Sequence, residues 1–358
     1  MKTKLFSVLR LAMPALLLAG IVLCRFCPVV AEGYARCVYP WLSAALSAVA
    51  SVFPFSLEEV WVIGIVLWMI VYPFLKRRKQ KSWRFILLRE VECLVWVYIW
   101  FYLGWGLNYF RQDIYRRAKV EPARYEEQAF LDFLQAYTDS LNRSYRAEVK
   151  WNAAAMDLEM KTFYRNVPSS FGLARPRNFQ VPKYFTFTSL YSGVGVLGSM
   201  GPFFAEAQLN ADLLPMQLPF TYAHEFSHLL GVSNEAEANY WAWQVCTHSA
   251  SPDIRYSGYF GILPYVLVNA SSLLSEERFR EWAESIRPEV RQDYERKRAY
   301  WAERYNLFIG RLQDRVYDWF LKGNNISSGK KNYAEVIGII LSIPAVSHSP
   351  KEPFRIHP

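Results

Sequence analysis

Apolar residues fall into long unbroken runs near the N-terminus and into helical periods further on, and the changeover lies near residue 110. After the basic start Met1-Lys2-Thr3-Lys4 and Arg10, residues 11–31 are almost free of charge, with Arg25 placed to snorkel toward an interface. Residues 58–75 hold a second such run, uncharged from Val60 to Leu75, and residues 93–110, rich in Trp and Tyr, hold a third. Each is close to the length an apolar helix needs to cross a bilayer. The pattern predicts an α-helical membrane anchor of three spans over residues 1–110. A cleaved signal peptide ending at Val29-Val30-Ala31 fits the first run as well. The uncharged stretch Val38–Leu57, rich in Ser, Ala and Pro, is expected to lie in the interface or to re-enter, because Glu58 and Glu59 alone would have to connect it to the next span.

Beyond the apolar runs, Phe130, Phe133, Leu134, Tyr137 and Leu141 recur at helical spacing and predict an amphipathic helix between Tyr125 and Tyr145. The aromatic and Thr-rich run Val181–Leu190 predicts a strand. Gly193, Gly195, Gly198 and Gly201-Pro202 then predict a flexible loop, without the spacing of a phosphate-cradling motif. From Ser275 to Gly323 an aromatic stripe that includes Trp282, Tyr300, Trp301, Phe308 and Phe320 predicts two packed helices, broken at Pro288. A polar linker, Gly323–Lys331, precedes a last apolar stretch, Val336–Ile343. The expected architecture is therefore the anchor followed by a mostly helical α+β domain over residues 111–346 and a tail at 347–358.

Composition agrees with a membrane protein, since 52% hydrophobic and 17% aromatic residues exceed what soluble domains usually carry. The net charge of +9 is not a nucleic-acid signature: residues 1–107 hold 12 Lys and Arg against 5 acids, and the rest 29 against 27. The excess sits among apolar runs, and the partner it points to is a lipid bilayer. Between Lys76 and Arg84 lie six basic residues and no acid, which the positive-inside rule places in the cytoplasm. The N-terminus is then cytoplasmic too, and with three spans the domain after residue 110 is extracytoplasmic. Arg111, Arg116, Arg117 and Lys119 run against this orientation, but the shorter and denser cluster is expected to dominate. The odd set Cys24, Cys27, Cys37, Cys93 and Cys246 implies no disulfide framework.

Candidate chemistry begins at His224-Glu225-Phe226-Ser227-His228, an HExxH motif. Residues four apart share a helix face, so His224 and His228 can aim both imidazoles at one metal ion while Glu225 reaches a water on it. With five histidines in the chain, accident accounts for such a motif on the order of 0.005 times. Catalytic zinc takes three protein ligands and leaves a fourth position open, so a third ligand is expected nearby. Gly231 suits a left-handed helix end, and Asn234 suits the N-cap of a second helix, with Glu237 completing a capping box. Glu235 is then free to face the metal, with Asn239 on the same face. The remaining histidines are His248 and, in the tail, His348 and His357.

The block HEFSH followed by Glu235-Ala-Glu-Ala-Asn239 resembles the gluzincin arrangement, which implies Glu235 as third zinc ligand and Asn239 as support for a ligand histidine. More narrowly, Tyr191-Ser-Gly, Gly201-Pro-Phe-Phe with Glu206 and Asn210, the HEFSH–EAEAN block and Arg255-Tyr-Ser-Gly258 resemble a bacterial family of uncharacterised membrane proteins, domain-of-unknown-function family 3810. The likeness covers nearly the whole chain and implies a membrane-anchored, zincin-like metallopeptidase acting on a peptide or protein substrate.

On this reading zinc held by His224, His228 and Glu235 lowers the pKa of its water, and Glu225 takes the proton and later returns it to the leaving amine. Tyr256 and His248 are the downstream candidates for a second oxyanion donor. The aromatic stretch Tyr184–Phe187 is a candidate edge strand for pairing with extended substrate. The competing class is a non-catalytic membrane receptor or scaffold with a vestigial or structural metal site, against which an intact Glu225 argues.

Overall fold

Pro28 sets the course of the N-terminal region. The residue before a proline is pushed away from helical geometry, and Cys27, at φ −128° and ψ 85°, ends helix α1 (Lys2–Phe26) there. Helix α2 (Pro28–Cys37) leaves at 110° to α1. The expected first span, 11–31, is thus a bent pair. In the computed structural model residues 2–326 and 335–343 are described, with side chains described from residue 10 onward. The expected tail at 347–358, with His348 and His357, lies outside the described residues, as does part of the linker before Val336.

The uncharged stretch after α2 forms helix α3 (Tyr39–Ala50), and at 12 residues, about 18 Å, it is too short to cross hydrocarbon. Helix α4 (Leu57–Arg78) begins at a Ser56 cap whose hydroxyl accepts from the Glu59 N–H at 3.1 Å. It holds the second expected span. The third expected span, 93–110, is corrected: helix α5 (Trp83–Gly104) starts ten residues earlier and a 3-10 turn (Gly106–Phe110) completes the stretch. The single helix therefore includes Arg84, Arg89, Glu90 and Glu92. Arg10 of α1 donates to Glu92, as does Arg89 at 2.8 Å, so Arg89 and Glu92 of α5 are paired. Among the described residues one helix, α4, is long and apolar enough to cross a membrane, or two spans if the bent pair α1–α2 is counted as one; three are not reached. The five cysteines are free.

The chain divides into two units, the first comprising residues up to Gln112 together with Gly201–Glu206, the second the rest of the described chain. Within the first, Ile21, Ala31, Ile99, Tyr102, Leu107 and Phe110 form a buried cluster. Its returning segment explains two residues of the family-like pattern. Glu206 accepts from the Leu57 N–H at 3.3 Å, the Glu58 N–H at 2.8 Å and the Ser56 hydroxyl at 3.2 Å, so an acid from far along the chain completes the α4 N-terminus. The Phe203 N–H in turn donates to Glu58 at 3.0 Å.

The second unit continues with α6 (Ile114–Ala118), α7 (Glu127–Ser144) and α8 (Ala153–Asn166). In α7 all five periodic residues from Phe130 to Leu141 are buried. Helix α9 (Thr188–Gly193) and three short strands follow: β1 (Lys183–Tyr184), β2 (Gly198–Gly201) and β3 (Glu206–Leu209). The expected strand over 181–190 shrinks to two residues, because Thr188 already opens α9. The expected flexible loop over 193–201 ends instead in strand β2. The sheet order is β1-β3-β2, with β1 parallel to β3 and Lys183 opposite Gln208. Asn210 fixes this corner, donating to the Val196 carbonyl at 2.8 Å and to the Ser192 hydroxyl at 2.9 Å.

Helices α10 (Leu218–Leu229), α11 (Glu235–Thr247) and α12 (Pro252–Leu273) form the interior of this unit, with α7 packed on α12. The expected pair of helices after Ser275 is three, α13 (Glu276–Ser285), α14 (Pro288–Arg304) and α15 (Leu307–Gly323), since Tyr305-Asn306 makes a second break where Asn306 caps α15. Helix α16 (Val336–Ser342) closes the described chain.

Candidate functional site

Helix α10 carries HExxH, and each of its twelve residues is buried. Its first turn lacks a side-chain cap of its own, but the Ser257 hydroxyl accepts from the Phe220 N–H at 3.1 Å. Ser257 belongs to the Arg255-Tyr-Ser-Gly258 motif, which thereby has a structural role at this helix. The C-terminus is a Schellman turn: Gly231 has φ +95°, the Val232 N–H donates to the Ser227 carbonyl at 3.1 Å and the Gly231 N–H to the His228 carbonyl at 3.0 Å. A side chain at residue 231 would be strained there. The turn feeds Asn234, whose side chain accepts from the Glu237 N–H at 2.9 Å as the cap of α11.

These elements bring His224, His228 and Glu235 together, all buried, with one ligating atom from each lying within 4.8 Å of the others. Nε2 of His224 and Nε2 of His228 are 3.1 Å apart, and Oε2 of Glu235 lies 3.1 Å from the first and 3.4 Å from the second. The outer ring nitrogens fix the tautomers. His228 Nδ1 donates to the Val232 carbonyl at 2.7 Å, and His224 Nδ1 donates to Asn239 Oδ1 at 2.9 Å. Asn239 is also hydrogen-bonded to Tyr265 of α12.

With each Nδ1 taken up by an outer partner, both Nε2 atoms and a carboxylate oxygen converge on one point, a grouping that a cation between them would satisfy. A proton satisfies one pair; a divalent ion satisfies all three. Donors bound tetrahedrally to zinc stand about 3.3 Å from one another, close to the separations here. The donor set therefore fits the ion that the sequence implies. Without an ion, burial alone would lower the His228 pKa and raise that of Glu235. Their attraction overrides both, raising His228 and holding the Glu235 carboxyl well below the usual range. Burial also raises the Glu225 carboxyl, against the lowering pull of both histidines.

Glu225 lies against the backbone of β2. A Cβ built on Gly198 would stand 2.5 Å from its Cγ and 2.7 Å from Oε1, so no side chain fits there. Glu235 gains a partner that sequence reasoning missed: the Tyr317 hydroxyl of α15 donates to its Oε1 at 2.6 Å. The one local signal was a hydroxyl-tipped aromatic on the face of α15 opposite Phe308. The Val232 carbonyl was also missed, although the turn at Gly231 predicts a backbone group there.

Three expectations are corrected. Glu237 does not close a capping box, because its carboxylate takes a buried ion pair from Arg117 and the Trp241 indole N–H at 3.1 Å. Tyr256 does not face the triad: its hydroxyl donates to Asp293 at 2.9 Å and its ring packs on Phe260 and Tyr145. His248 is the C-cap of α11, about 20 Å along that helix from Glu235, with Nδ1 on the Gln244 carbonyl at 2.8 Å.

No curated protein and no solved structure matches the chain. The model of a family described as "Protein of unknown function (DUF3810)" matches residues 34–341, and with most of its length so covered this chain belongs to that family.

Proposed function

We propose that the protein is a membrane-anchored, gluzincin-type zinc peptidase that hydrolyses peptide bonds. The observation that carries this reading is the convergence of one possible ligand atom from each of His224, His228 and Glu235, with a buried Glu225 next to His224 in the same helix. Zinc bound there supplies Lewis acidity, polarising a carbonyl and lowering the pKa of water. Glu225 accepts the proton of the attacking water and hands it to the leaving amine, and burial favours its holding that proton between the two steps. Asn239 and the Val232 carbonyl keep the imidazole lone pairs turned inward. Tyr317 is a positioning residue for Glu235. An extended substrate pairs with β2, the edge strand against Glu225, rather than with the Tyr184–Phe187 stretch around β1. The basic stretch from Lys76 to Arg84, at the end of α4, lies in the cytoplasm.

The test is metal content and turnover of the full chain in detergent, using a quenched fluorescent peptide library. Stoichiometric zinc is expected, lost in His224→Ala and kept in Glu225→Gln, with cleavage abolished in both. The receptor reading is favoured by one feature, the burial of every triad residue. It gains if zinc is stoichiometric and no peptide is cleaved; absence of zinc from the unmodified chain overturns the peptidase.

A further inference from the structure

Helix α15 has two unlike sides. Taking 100° per residue, Phe308, Trp319, Leu312 and Val316 fall within one arc of about 80°. They are 83%, 77%, 58% and 57% exposed, so this arc faces away from the protein. Tyr317 lies opposite and reaches Glu235. Arg311 and Arg315 border the apolar arc on one side, and both are exposed. Lys322 on the same border is held by Asp318 at 2.6 Å.

An arc this apolar costs free energy in water, and among the described residues nothing covers it, since α15 is fastened from its other side. The Asn306 N–H before α15 donates to the Gly193 carbonyl at the end of α9 at 2.8 Å, and α9 itself carries Leu190, 61% exposed. Exposed Trp and Phe flanked by Arg and Lys is the composition of a helix that lies in the headgroup layer, aromatic rings among the acyl chains and guanidinium groups on phosphates. The one-sided cationic border of Arg311 and Arg315 complements a surface of anionic phosphates. The chain also brings its own tether, α4, which keeps the second unit at high effective concentration beside a lipid surface.

We propose that α15 docks on the surface of an anionic lipid bilayer through Phe308, Leu312, Val316 and Trp319, with Arg311 and Arg315 on the headgroup phosphates. The inference rests on the membrane reading of α4 and is independent of zinc and of turnover.

The test uses the full chain in vesicles of phosphatidylcholine, alone or mixed with phosphatidylglycerol. Photoreactive p-benzoylphenylalanine replaces Trp319 in one variant, Phe308 in a second and the exposed Arg280 of α13 in a third, and adducts are mapped by mass spectrometry. Phospholipid adducts are expected at positions 319 and 308 and not at 280. Arg311→Glu with Arg315→Glu should cut the adduct yield about tenfold in the anionic vesicles and little in the neutral ones. Adducts to a second copy, adducts to another protein, or none at 319 and 308 overturn the proposal. Resistance of the chain to carbonate extraction is measured in parallel, so that loss of the anchor itself is recognised separately.

Discussion

Helices α4 and α10 are both rich in apolar residues, and they spend them in opposite ways. In α4 the buried residues are Glu58 and Glu59, while Val60, Ile63, Val66, Leu67, Ile70 and Phe74 are exposed. In α10 nothing is exposed, and five polar side chains have named partners: Thr221 the Gln217 carbonyl, Tyr222 Asp157, Ser227 the His224 carbonyl, and both imidazoles their outer partners. The first arrangement suits a helix whose solvent is hydrocarbon, where backbone groups are satisfied internally and apolar side chains need no protein neighbour. The second suits a helix whose surroundings are protein, where each buried polar atom must be answered. Hydrophobicity alone does not separate them; the partners of the polar groups do.

The sharpest way to break this contrast is to remove one answer inside the second unit. Arg117 and Glu237 are a fully buried pair, and Arg117 also donates to the Phe171 carbonyl at 2.5 Å. Arg117→Ala should cost about 3–5 kcal/mol in denaturant unfolding, because it strands a buried carboxylate. A loss near 1 kcal/mol would reduce Glu237 to an ordinary helix-start residue. The double variant with Glu237→Ala should cost less than the two single losses together.

In α4 the largest effect comes from adding a charge. Leu67 lies mid-helix and exposed, and Leu67→Arg should disfavour insertion by roughly 3 kcal/mol, read as carbonate-extractable protein. Unchanged membrane retention would mean that α4 does not cross.

Gly198→Ala comes next. Its Cβ would press on Glu225, and a strain of about 1–3 kcal/mol is expected, with turnover falling while zinc stays bound. If zinc is lost as well, β2 supports more of the site than its contact with Glu225 implies. The smallest change is Tyr317→Phe, which removes one hydrogen bond to a buried carboxylate. Zinc affinity should fall about tenfold at the lower end of what such outer partners contribute, with folding intact by circular dichroism. No change in affinity would make the contact incidental.

How far the sequence could be read follows from the reach of each interaction. His224, His228, Glu235 and Asn239 lie within sixteen residues, and helix phase plus one glycine turn is enough to assemble them. Tyr317 is 82 residues from Glu235 and Arg117 is 120 from Glu237, separations at which no local period carries information. The same limit underlies the third expected span, whose residues belong to α5, a helix that is not among those long and apolar enough to cross. The run after Cys93 looked self-contained because Arg10, the partner that lets Glu92 sit in one helix with it, is 82 residues away. Tyr256 failed for a different reason: a tyrosine near a motif was credited with chemistry, while its hydroxyl was already needed by Asp293 in the core. The glycines at 193–201 suggested mobility, yet Gly198 is there because a backbone must pass close to Glu225.

The burial of the triad also sets a clock. All three donors are nearly sealed from solvent and Glu235 is latched by Tyr317, so a chelator cannot reach an ion held there until part of the protein moves aside. Withdrawal of the metal should then run at the rate of that opening. It should level off as chelator is added and stay the same when a stronger chelator replaces a weaker one. Stopped-flow release measured with and without vesicles would time the movement directly, turning the ion into a reporter of how often the site uncovers itself.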